Sequence, residues 1–297
     1  MSRDGRGDGR VEVVHGPSVR TATADRPTRA RFAPGNALRL PQTLARECIE
    51  HPARRYDLNG EESRILATVG AFRVVPAAEC EERSTSAAWN GAIRQLADQG
   101  LVERKTVVIN QQPTLVLVLT REGKSLLDGR HEPTTRGSRQ QYHAGLVKPR
   151  EIGHDSQLYR LFRTAAEPLE AEGNRIQRVV LDYEFKRDYQ TFLNRKGRPE
   201  GTDQRADMET FAAAAQLPVV DGHLELPDVR IEYETPDGSL EHRDLELVTE
   251  HYSRGQLAGK GRAGFALYRA EGGGVLRGGG ARASGTPLDP HNLEWLR

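Results

Sequence analysis

Asp228, Asp244 and Glu246 fall within one stretch, LPDVRIEYETPDGSLEHRDLELVTEHY, residues 226–252. Carboxylates grouped in this way are ligands that a hard divalent cation takes. Asp244 and Glu246 alternate with Leu245 and Leu247, so a strand here turns both acids to one face. Together with Asp228, at the start of the preceding strand, they could converge on one magnesium or manganese ion. Such an ion activates water to attack a phosphodiester. The chemistry also needs a positive group near the water or the phosphate. Lys260, on the next short helix, is the candidate, with His251 and Arg254 behind it. The competing reading is that the alternating acids form a solvated strand face. Asp237-Gly238 is a hairpin turn. His154-Asp155 reads as the cap of a helix, and Tyr183-Glu184 as a helix-borne pair.

A second set of polar residues lies nearer the N-terminus. In the run from Ser84 to Gln99, Trp89, Ile93 and Leu96 share one helical face, while Ser86, Asn90 and Arg94 share another. Residues of the second kind can hydrogen-bond to base edges in a major groove. Arg83 precedes the helix and Thr85 lies in its first turn. Arg104, Lys105 and Arg121 fall on the strands that follow and at their exit, where phosphates would lie. The alternative is a polar face that docks a protein, and the acids of the neighbouring ECEERS segment favour it.

These residues need elements to hold them. Asn59 and Glu62 have the spacing of a capping box, and Ile65, Val69 and Phe72 follow at helical intervals. A second short helix starts near Pro76, and Gly100 stops the third. LVERKTVVI and TLVLVLT, parted by NQQP, predict a hairpin, and REGKSLL predicts a closing helix. Three helices and a hairpin make a winged helix-turn-helix, here residues 56–130. Residues 1–55 read as a disordered basic leader, and 131–152 as a linker.

From 153 to 270 the pattern is helix, strand, two helices, three strands, helix, strand. That order predicts an α/β domain on a mixed sheet. The expected strands are 218–223, 225–234 and 242–248, and Pro168 should interrupt the first helix near its end. Residues 271–297 form a Gly-rich tail, in which Trp295 could dock. The fold class is therefore α+β, a winged helix followed by a mixed-sheet domain.

Composition narrows the partners. The 297 residues carry a formal net charge of +1, so any nucleic-acid surface must be local. Cys48 and Cys80 lack metal-ligand spacing and read as reduced thiols of a cytoplasmic protein. No run is long and apolar enough for a membrane span, and MSRDGRGDGR has no apolar signal region. Gly-rich phosphate loops, nucleophile elbows and zinc or haem signatures are missing.

The LTREGKSLL turn, the HD that opens a helix, the PD, the acidic strand and the closing Y strand together resemble the replication-relaxation family of plasmid and mobile-element proteins. The likeness spans about residues 60 to 269. The second domain also resembles the restriction-endonuclease-like core of PD-(D/E)xK nucleases. The resemblance implies a double-stranded DNA-binding protein of plasmid replication, its control, or DNA relaxation. It places Asp228 as first acid and Glu246, or Asp244, as second. The pattern then departs, since Val248 stands where a lysine is expected. The expectation is a DNA-binding protein with an inactive nuclease-like domain. The alternatives are a magnesium- or manganese-dependent nuclease using Asp228, Glu246 and Lys260, and an interaction module that binds a protein through the C-terminal domain or tail.

Overall fold

The computed structural model describes residues 38–52, 54–80, 86–131, 139–146, 151–195, 203–249 and 252–270, without the side chains of 80, 86 and 87. The expected tail, the leader as far as residue 37 and much of the expected linker lie outside the described residues.

The chain is a mixed α+β protein. Strands β1 (Glu47–His51) and β2 (Arg54–Leu58) form an antiparallel hairpin. Helix α1 (Gly60–Ala71) follows, and its start is fixed by the reciprocal Asn59–Glu62 capping box. Strand β3 (Val75–Pro76), α2 (Ala77–Cys80) and α3 (Ser86–Asp98) come next. Gly100, at φ +73°, ends α3. Strands β4 (Val102–Ile109) and β5 (Gln112–Leu119) then pair antiparallel. Both turn residues, Asn110 and Gln111, are left-handed, which matches the twist of a two-residue hairpin. The order of this sheet is β3-β5-β4, and α4 (Arg121–Asp128) closes the region.

Residues 38–52, 54 and 55, expected within the disordered leader, take part in the fold. Leu38, Leu40 and Ile49 are buried, and β1 and β2 are ordered. Each strand of the hairpin turns only one or two residues inward, Ile49 from one and Tyr56 and Leu58 from the other. So few inward residues among Arg and Glu leave little apolar periodicity to read. Arg46 fastens the hairpin, with Nε 2.7 Å from Asp57 and Nη1 3.0 Å from Glu62.

Residues 140–146, expected within a linker, are packed. Tyr142 is buried beside Gly70, where a Cβ would collide with its ring. The His143 N–H donates to the Gly70 carbonyl, and the Gly145 N–H to that of Leu119. The Gln140 side chain accepts from the Val179 N–H and donates to the Val179 carbonyl.

The C-terminal sheet is built from β6 (Arg175–Leu181), β9 (Val229–Glu234), β10 (Leu240–Val248) and β11 (Ala266–Arg269), in the order β11-β10-β9-β6. Only the β10–β11 pair is parallel. Helix α5 (Ile152–Ala171) packs Leu158, Leu161, Phe162 and Ala165 against Val229, Ile231, Leu245 and Leu247. Pro168 lies within α5, and the helix ends three residues later. The opposite face carries α6 (Asp182–Leu193) and α7 (Gln204–Ala214) over Val180, and α8 (Arg254–Arg262) over Val248. The strand expected over 218–223 is instead a small hairpin, β7 (Val219–Val220) and β8 (His223–Leu224). Asp221 and Gly222, both at positive φ, turn it.

The N-terminal and C-terminal parts share one hydrophobic cluster. Phe72, which caps α1, lies 5.2 Å from the Tyr159 ring and 5.0 Å from the Phe162 ring of α5. Arg73 is held at φ +46°; its guanidinium covers the Tyr183 ring and reaches Asp155 at 3.3 Å. None of the described helices is long and apolar enough to cross a membrane.

Candidate functional site

Pro227-Asp228 ends the crossing from β8 and sets Asp228 at the mouth of β9. The backbone N–H of Leu247, on β10, donates to Asp228 Oδ2 at 2.8 Å. That bond fixes the carboxylate. His154, in the first turn of α5, brings Nε2 to 3.4 Å from Oδ1.

Glu246 lies on β10, one side-chain repeat beyond Asp244, and is only 1% exposed. Its Oε1 accepts from the Tyr252 hydroxyl at 2.6 Å and lies 3.1 Å from Lys260 Nζ. Its Oε2 is buried, with no hydrogen-bond partner among the described residues. Lys260 arrives from the last turn of α8. That helix starts at a Ser253–Gln256 capping box, and Gly264, at φ +82°, follows it. The Lys260 ammonium also donates to the Leu226 carbonyl at 2.8 Å and lies 3.2 Å from Glu225 Oε2.

The electrostatics follow from this packing. Burial pushes the Glu246 carboxyl up to about 7, and the neighbouring Asp228 charge adds to the shift, against the pull of Lys260 and Tyr252. Burial alone would lower the His154 ring, but its bond to Asp228 and the charges of Asp228, Asp155 and Asp182 raise it. Burial lifts Asp155 to about 6, against the opposing Arg73 charge.

The sequence-predicted residues divide into those that meet and those that do not. Asp228, Glu246 and Lys260 come together. Asp244, expected as a third metal ligand or alternate acid, does not join them. Arg230 faces it across the strand pair and grips it with two bonds, 2.6 and 2.8 Å. The same guanidinium donates to the carbonyls of Ala215 and Gln216. A carboxylate so fully engaged has no oxygen to give a cation. Arg254 is exposed at the start of α8, and His251 lies outside the described residues.

His154 was expected as a helix cap. Glu151 holds the cap position instead, and His154 faces Asp228 from inside the helix. Tyr252 and Glu225 join the site without any mark in the sequence. Only the fold brings these three to the acids, and no local spacing marks them.

Among the described residues, no group of three or more His, Cys, Asp or Glu side chains is placed to hold a metal ion. Two carboxylates remain: Asp228, whose Oδ1 lies 3.4 Å from His154 Nε2, and Glu246, whose Oε2 has no hydrogen-bond partner among the described residues. Magnesium is commonly held by one or two carboxylates, with waters and substrate phosphate completing its shell. Asp228 and Glu246 are the residues that would hold such an ion.

On α3, Trp89, Ile93 and Leu96 are buried, while Asn90 and Arg94 are exposed. Arg104 and Arg121 are exposed as well. Lys105 is half-buried and lies 2.6 Å from Glu103. Arg83, Thr85 and the side chain of Ser86 lie outside the described residues.

Comparison with family models, with curated proteins and with solved structures gave no match.

Proposed function

We propose that the protein binds duplex DNA and hydrolyses a phosphodiester bond with a magnesium or manganese ion held by Asp228 and Glu246. The observation that carries this reading is the buried Glu246 oxygen without a partner, on a carboxylate that Lys260 and Tyr252 hold in place. Leaving a buried acceptor unsatisfied costs about 1–3 kcal/mol, so its persistence needs a reason beyond packing. The order helix, strand, helices, strands, helix, strand on a mixed sheet supports the PD-(D/E)xK resemblance. Asp228 then stands as the first acid and Glu246 as the second.

A bound divalent ion supplies Lewis acidity and lowers the pKa of its water. The chain's own part is positional. Leu247 orients Asp228, and Tyr252 and Lys260 orient Glu246. The three helices and hairpin of the N-terminal part support a winged-helix reader. Its DNA contacts would be Arg83, Thr85, Ser86, Asn90, Arg94, Arg104, Lys105 and Arg121. A role in plasmid or mobile-element replication, or its control, follows from the family resemblance.

Incubating supercoiled plasmid with magnesium or manganese tests the chemistry. Wild type should nick it and Asp228→Ala should not; no nicking, or equal nicking by the variant, removes the assignment. A gel-shift titration tests the reader, because Arg94→Ala should weaken binding and flatten its salt dependence.

Binding without cleavage is the second reading, and Val248 favours it. The position where the nuclease pattern expects lysine is buried against Leu257, Phe265 and Leu267.

A further inference from the structure

The geometry points to His154, not Lys260, as the side chain that meets the substrate's phosphate, with Lys260 serving only to position Glu246. This assignment rests on the proposed metal-dependent reading and assigns the roles within it.

An ammonium has three N–H bonds. Three protein oxygens surround Lys260 Nζ: the Leu226 carbonyl at 2.8 Å, Glu246 Oε1 at 3.1 Å and Glu225 Oε2 at 3.2 Å. Its remaining side is covered by the Phe265 ring, 5.2 Å from Nζ. The side chain is 16% exposed. A group so enclosed has no N–H left for water or phosphate unless it abandons a carboxylate. Its charge is spent on holding Glu246.

His154 is placed differently. Its side chain is 34% exposed, and its Nε2 lies 3.4 Å from Asp228 Oδ1, on one of the two carboxylates proposed to hold the ion. Were Asp228 and Glu246 to hold the ion, the His154 ring beside Asp228 would be placed to donate its N–H to a non-bridging phosphate oxygen of the substrate. Lys186, the other cation close to Asp228, is paired with Asp182 on its own helix and is more exposed.

Two measurements on the full chain test this: the Mn2+ dissociation constant, and the single-turnover cleavage rate at saturating Mn2+. His154→Gln should bind Mn2+ within about threefold of wild type and cut about 100-fold more slowly, the usual loss of one donor to a transition-state charge. His154→Ala should regain rate with added imidazole, which a merely structural role would not allow. Lys260→Met should weaken Mn2+ binding about tenfold, as loss of a residue behind a metal ligand does. A Lys186→Ala chain that cuts like wild type completes the expected pattern. If wild type cuts and His154→Gln cuts equally fast, the assignment falls and the metal-dependent reading stands. Lys260→Met with unchanged Mn2+ affinity and a lost rate would return the phosphate contact to the lysine. If wild type does not cut, the reading itself fails and carries this assignment with it.

Discussion

The two halves of β10 bury a carboxylate each, two residues apart on the same face, and treat them in opposite ways. Asp244 is matched oxygen for nitrogen by the Arg230 fork, which two main-chain carbonyls hold in turn. Glu246 has one oxygen crowded by Tyr252 and Lys260 and the other with no partner among the described residues. A satisfied buried pair is a structural device whose geometry is complete without a ligand. A half-satisfied one is a place where packing has been held short of completion. Asp228 stands between the two: one oxygen takes the Leu247 N–H and the other meets the His154 ring, a partly exposed group on another element.

Breaking the complete pair should have the largest effect on stability. Asp244→Ala leaves the Arg230 charge buried, and the expected loss is about 3–5 kcal/mol in denaturant unfolding. A loss under 1 kcal/mol would mean that the Arg230 contacts do not anchor the strand pair.

Gln140→Ala comes next. It removes both bonds to the Val179 backbone and leaves a buried N–H and carbonyl unmatched, for an expected loss of about 2–3 kcal/mol.

Glu246→Gln should reverse the sign. Folding lifts this carboxyl from an ordinary 4.5 to about 7, so the folded chain holds an extra proton between those values. Stability therefore falls as pH rises across that window. The amide escapes that cost and keeps an oxygen for Tyr252 and Lys260. At pH 8 the variant should melt roughly 2–4 °C above wild type, and below pH 4.5 the gain should vanish. The same proton opposes a cation, so Mn2+ affinity in the wild type should rise as pH passes about 7. A pH-independent affinity between 6 and 8 would separate Glu246 from the ion.

The smallest effect on stability belongs to Arg94→Ala. It lies on the exposed face of α3, and the fold should change by less than about 0.5 kcal/mol while DNA affinity falls.

Some of this is legible in the chain itself. The Asn59–Glu62 box marks the start of α1 because both partners lie within one turn. Alternation along DLELV sets Glu246 on one face, because the period of a strand is fixed by its backbone. Other features depend on what crosses from elsewhere. Asp244 has the same alternation as Glu246, and only the register that brings Arg230 opposite tells them apart. His154-Asp155 looks like a cap because Asp is common at a helix start, whereas the partner of His154 is a residue of β9's approach. The Asp221-Gly222 turn carries a hairpin signal of its own, but the flanking strands are only two residues each and read as one.

The side-chain clasp of Gln140 on Val179 has a consequence for the chain in company. Strand β6 is the outer margin of its sheet, and Val179 presents outward groups that another extended chain could adopt. The Gln140 amide occupies them as a short false strand would. A truncated form lacking residues 139–146 would bare that margin, and its characteristic failure would be to stick to copies of itself.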